Sequence, residues 1–183
     1  MTIIVLAAII AIVVLWFISV QRKLVVMDEN INNSMSQIGV QLSSRWDALT
    51  ALLDLTKGYA EHEYKTISDT IKMRTSINAK STAADVNAQE NILLDAMGKI
   101  MAVAEGYPEL KANDNFIYLQ DELSGTENRI ATARKDYNEV VTEFNKTIKK
   151  FPTVIFAGML GFEKADLFEA SADAQDAPAV SFE

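Results

Sequence analysis

The residues of this 183-residue chain that could do chemistry fall into two groups. The first is His62, the only histidine, set between Glu61 and Glu63 in the stretch KGYAEHE. A histidine flanked by carboxylates could ligate zinc or relay a proton. An HExxH helix site, however, needs a second imidazole one turn away, and di-metal helical bundles use two Glu-x-x-His motifs. One histidine satisfies neither, and a surface residue at a helix start is the simpler reading. The second group is the crowd of Thr, Glu, Asn and Arg in ELSGTENRIATARKDYNEVVTEFNKTIKKFP, which begins at Glu122. No serine here is paired with a histidine base in a recognisable motif, and no Gly-rich phosphate loop follows a strand. The absence of cysteine removes thiolate zinc sites, Cys nucleophiles and disulfides. No catalytic residue, cofactor or metal is therefore expected.

The same polar residues make better sense as the margins of a packing seam. Phe116, Leu119, Leu123, Thr126, Ile130, Ala133, Tyr137, Val140, Phe144, Ile148 and Phe151 recur at three- and four-residue steps, the spacing that lines one face of a helix. YN, FN and FP fall seven residues apart, so Tyr137, Phe144 and Phe151 point one way and Asn138 and Asn145 share the adjoining line. An earlier stripe, Ile31, Met35, Ile38, Leu42, Leu49, Leu52, Thr56 and Tyr59, supplies the opposing face and is interrupted by Arg45. Arg45, Glu127, Arg129, Arg134, Asn138 and Asn145 are expected to fix register by edge ion pairs and hydrogen bonds.

Seven Gly and three Pro leave long runs without punctuation, which predicts an all-α chain. From Ile3 to Val20 eighteen residues carry no charge, enough for roughly 27 Å of helix and nearly a bilayer core. No positive n-region precedes this run and no small-x-small site closes it, so an uncleaved anchor over 1–22 is expected rather than a signal peptide. Trp16 and Phe17, then Arg22 and Lys23, suit the membrane interface. Nothing basic precedes the span except the amino terminus, which places the following domain in the cytoplasm, with the extracytoplasmic side as the alternative. Neither Gly nor Pro occurs before Gly39, so the anchor is expected to continue into the first bundle helix.

A four-helix up-and-down bundle is expected over 23–151. Gly58 ends the first helix; the second runs from about Ala60 to Asn78, the third from about Ala83 to Glu105, and the fourth from Asn113, a good N-cap, to Phe151 before Pro152. Breaking at Gly58 lets the long last helix pair with the first and finish near the bilayer. Residues 152–183 form a C-terminal segment. Its apolar part, with Val154, Ile155, Phe156, Met159, Leu160 and Phe162, is too short to span, leaving it to fold over the bundle, dip into the interface or make lateral contacts. An acidic, Ala-rich tail follows, expected to start helical around Glu163 to Glu169 and then to become extended, with Val180 and Phe182 alternating like a strand or a docking peptide.

The net charge of −8 leaves no basic face for broad nucleic-acid binding. Three stretches resemble the LemA family: VQLSSRWDALTALLDLTKGYAEHE from Val40, NDNFIYLQDELSGTENRIATARKDYNEVVTEFNKTIKKFP from Asn113, and GFEKADLFEA from Gly161. The resemblance implies a bacterial single-pass protein of the cytoplasmic membrane with a four-helix bundle and no established catalytic residue; some relatives are implicated in forming organelle membranes. The expected function is a non-enzymatic, homo-oligomeric membrane scaffold whose partners are the lipid bilayer and its own copies. Alternatives are an adaptor or sensor docking another membrane protein, and a metal-dependent enzyme.

Overall fold

A computed structural model describes residues 1–169. Its first helix, α1 (Thr2–Thr56), runs 55 residues without a break, about 82 Å at 1.5 Å per residue. The absence of any helix breaker before Gly39 permits this, and Gly39 itself stays helical because it serves packing: a Cβ there would collide with the Ile77 carbonyl oxygen. The N-terminal part of α1 is apolar and long enough to cross a membrane, and no residue of that window is buried. Burial begins abruptly at Leu24, which is 0% exposed.

α1 ends two residues before Gly58, and the chain turns back as α2 (Glu61–Ile71), whose first turn carries Glu61 and Glu63, where acidic side chains complement the helix dipole. The expectation of a helix to Asn78 is corrected here: α2 stops at Ile71, and 74–78 has no regular secondary structure. Tertiary contacts outbid local propensity. Arg74 donates to Asp47 at 2.8 Å and to Ser43 at 2.6 Å on α1, the Thr75 N–H donates to the buried Gln89 at 2.8 Å, and Ile77 drops against Gly39. A capping box between Thr82 and Asp85 starts α3 (Ala83–Gly106). A single turn, α4 (Pro108–Lys111), leads to the Asn113 cap and α5 (Asp114–Lys149), then α6 (Thr153–Met159).

The helices run out, back, out and back, with α1 and α5 as the long antiparallel pair. Their shared seam holds two clusters. In the distal one Leu42, Trp46, Leu49 and Leu52 of α1 meet Leu123 and Ile130 of α5 and Leu93, Ala96 and Ile100 of α3. The basal one joins Leu24, Ile31, Met35 and Ile38 to Tyr137, Val141, Phe144 and Ile148, closed by Val86, Ala157 and Phe168. The arithmetic of length explains the division: α3, about 36 Å, is shorter than α5, about 54 Å, so helix packing leaves the basal part of the seam open. The segment after α6 fills it. Two polar side chains inside the distal cluster, Thr56 and Thr126, spend their hydroxyls on the carbonyls of Leu53 and Leu123 at 2.7 Å, which satisfies them within their own helices.

Two seam assignments need adjustment. Phe151 is 81% exposed and belongs to no cluster, because α5 ends at Lys149 and the helical period that would turn Phe151 inward ends with it. Leu119 packs against the distal cluster only partly buried. The start of the acidic tail is corrected: Glu163–Glu169 is not helical, because its backbone is held by side chains of α5; the part with Val180 and Phe182 lies outside the described residues.

Candidate functional site

Three polar residues of α5, Arg134, Asn138 and Asn145, meet the C-terminal segment where it folds back at the base of the bundle. α6 closes in a Schellman arrangement: the Phe162 N–H donates to the Ala157 carbonyl at 3.0 Å and the Gly161 N–H to that of Gly158 at 3.3 Å. Gly161, at φ 76°, takes the left-handed turn that only glycine adopts cheaply. Residues 162–169 then run extended alongside α5 as a strap.

An extended chain exposes an N–H and a C=O at every residue, and with no neighbouring strand these need other partners. Asn138 and Asn145 provide them. The Asn145 amide donates to the Ala165 carbonyl at 2.8 Å and its oxygen accepts from the Ala165 N–H at 3.0 Å. Asn138 does the same for Phe168, at 2.8 and 2.9 Å. Each side-chain amide thus stands in for the backbone of a missing strand. The spacing fits: seven helical residues advance about 10.5 Å, and three extended residues about 10 Å. The aromatic partners of the two Asn residues lock the same segment, Tyr137 edge-on to Phe168 at 5.1 Å between centroids and Phe144 edge-on to Phe162 at 6.2 Å. The Tyr137 hydroxyl donates to the Asp166 carbonyl at 3.2 Å, and burial, reinforced by the Asp166 charge, pushes its phenol above the ordinary value.

Arg134 ties the strap to α3. Its guanidinium pairs with Glu90, donates to Asn87 at 2.9 Å and stacks 4.8 Å above the Phe168 ring. Burial drives the Glu90 carboxyl above the usual carboxylate range despite the opposing Arg134 charge. Arg45, 3% exposed, reaches Glu127 across the α1–α5 seam at 3.3 Å. Both arginines bridge helices. Arg129 does not: it pairs with Glu122 within α5 at 2.7 Å, because both sit on the solvent side.

Of the six C-terminal apolar residues expected to make lateral contacts, Phe156 and Phe162 pack within the chain instead. Phe156 lies 5.1 Å from the rings of both Trp16 and Phe17, and Phe162 joins the basal cluster. Leu160 is half-buried at the turn, while Val154, Ile155 and Met159 face outward. Trp16 and Phe17, expected at an interface, are thus also the docking point for α6; Arg22 and Lys23 are exposed one turn further on. The sequence reading missed Ala165 and Phe168 as the partners of the two asparagines. The seven-residue Asn repeat was the available signal.

At the opposite end His62 is exposed beside Glu63, Lys99 and Tyr107 in a shallow groove. Among the described residues no three His, Asp or Glu side chains gather as a metal-binding group.

The chain is 36% identical over 87 residues to magnetosome protein MamQ 2 of Paramagnetospirillum magneticum, covering 48% of this chain and 32% of that one. It is 30% identical over 87 residues to magnetosome protein MamQ of Magnetospirillum gryphiswaldense, with the same coverage. The chain thus matches about a third of the length of these magnetosome proteins. It is 29% identical over 165 residues to protein LemA of Metamycoplasma hominis, covering 86% of this chain and 74% of that one. Residues 34–182, the bundle together with the strap, match the LemA family, and the chain belongs to it.

Proposed function

We propose that this protein is a non-enzymatic scaffold, anchored in the cytoplasmic membrane by residues 1–22 and self-associating to organise membrane or membrane proteins. The observation that carries this reading is the unbroken course of α1: the exposed apolar run passes into the buried core at Leu24 with no joint between them. A rigid link of this kind holds the bundle at a defined height above the bilayer. The membrane-organelle names of the MamQ relatives are consistent with such a role, and the names of the relatives are not those of enzymes.

Because Phe156 and Phe162 are engaged within the chain, lateral contact falls chiefly to the bundle. Exposed Val40, Leu94, Ile117 and Tyr118 offer apolar points there. The basic pair Arg22 and Lys23 after the span favours a cytoplasmic bundle. Mass measurement of the detergent-solubilised full chain tests self-association. An oligomer is expected; a monomer at all protein concentrations overturns the scaffold reading. Labelling a cysteine placed at the C-terminus with an impermeant reagent in intact cells tests orientation, with reaction refuting the cytoplasmic placement.

A further inference from the structure

The outer face of α6 is apolar and continues the exposed apolar surface of α1. Phe156 and Ala157 turn toward the chain; Val154, Ile155, Gly158 and Met159 turn away, with no polar side chain among them. Val154 is 45%, Ile155 53% and Met159 75% exposed, and Phe151 just before the helix is exposed too. Beyond Thr153, this seven-residue helix carries only apolar or small side chains, and such a face is not built to meet water.

What covers that face follows from its level. The edge-to-face contacts of Phe156 with Trp16 and Phe17 set α6 beside the last turns of the uncharged run Ile3–Val20. Exposed Arg22 and Lys23 on α1, and Lys146, Lys149 and Lys150 at the end of α5, then follow on the bundle side of it. An apolar patch with basic residues on its bundle side matches the two chemistries of a bilayer surface, acyl chains and then anionic headgroups. We infer that α6 is embedded in the leaflet from which α1 emerges, its Val154, Ile155 and Met159 side chains among acyl chains, as a second and shallower insertion beside the span. The inference rests on the proposed anchor. Two attachment points, unlike one, fix the rotation of the bundle about α1 as well as its depth.

The chain has no cysteine, so single-cysteine variants of the full-length protein report on each position. Met159→Cys and Ile155→Cys carry a fluorophore in phosphatidylcholine–phosphatidylglycerol vesicles, with Ile9→Cys as the span reference, Lys65→Cys, exposed on α2, as the bundle reference, and helicity checked for each by circular dichroism. Brominated acyl chains are expected to quench the labels at 155 and 159 severalfold more than aqueous iodide does, as at 9 and opposite to 65. If iodide quenches 155 and 159 while 9 stays lipid-quenched, the inference is overturned and the anchor stands. If neither quencher reaches 155 and 159, protein covers the face, as in a second copy, and the inference is again overturned. Iodide quenching at 9 would refute the anchor and the inference together.

Discussion

The distal and basal halves of the bundle solve one problem by different means. Both must cover the seam between α1 and α5. Distally the cover is helical: α3 brings Leu93, Ala96 and Ile100, and a helix satisfies its own backbone, so apolar side chains suffice. At the base the cover is an extended strap, whose backbone arrives unsatisfied, and polar side chains must be set into the edge of an apolar seam to receive it. Asn138 and Asn145 are that provision. The irregular 74–78 stretch obeys the same rule, with Gln89 accepting from the Thr75 N–H. Buried-edge amides in this fold therefore mark where non-helical chain is held, whereas the polar side chains at the helix–helix seam bond within their own helix or pair with a charge on the facing one.

The contrast breaks most sharply when each half is damaged in its own currency. Leu49→Ala, at a wholly buried distal position, should cost about 2–5 kcal/mol and lower the cooperative melting of the whole bundle, read by circular dichroism. An unchanged midpoint would mean that the distal core is not what holds the two long helices together. Asn138→Ala and Asn145→Ala should each cost about 1–3 kcal/mol, since each strands two strap backbone groups. The loss should be local: helicity stays, while amide exchange at Ala165 and Phe168 accelerates. If those amides remain protected in the double variant, the aromatic contacts alone hold the strap. Gly39→Ala, where a methyl group would press on the Ile77 carbonyl, should cost about 1–3 kcal/mol and loosen the 74–82 stretch, detectable as faster proteolysis there.

The smallest effect concerns Glu90. Its folded-state proton affinity is raised by burial, so the folded chain binds more protons than the unfolded one between the ordinary carboxylate range and the raised value. Stability contributed by this group is present below that window and declines as pH rises through it. Glu90→Gln should flatten this slope in melts recorded across the window. A slope identical to the parent's would assign it to another group.

The helical seam was legible because three-four spacing over thirty-odd residues has one physical reading, and Leu123, Ile130, Tyr137 and Phe144 lie where that spacing puts them. The break near Gly58 followed from matching helix lengths; the left-handed glycine cap expected there does not form, since Gly161 is the one positive-φ glycine among the described residues. The strap was not legible in this way. Asn138 and Asn145 carry the same period as their aromatic neighbours, and period alone does not distinguish an amide facing another helix from one facing an extended backbone. Phe151 misled for the opposite reason, continuing the period one step past the helix that gave it meaning. The end of α2 at Ile71 was hidden because what stops it, Gln89 and the notch at Gly39, lies elsewhere in the sequence.

The unbroken α1 makes the protein a lever. From Gln21 to Thr56 its arm is about 54 Å long, so on the proposed anchoring a lean of about 20°, an angle commonly adopted to match bilayer thickness, would swing the distal tip sideways by about 18 Å. Small differences in lipid thickness would thereby become large differences in which neighbours the tip can touch.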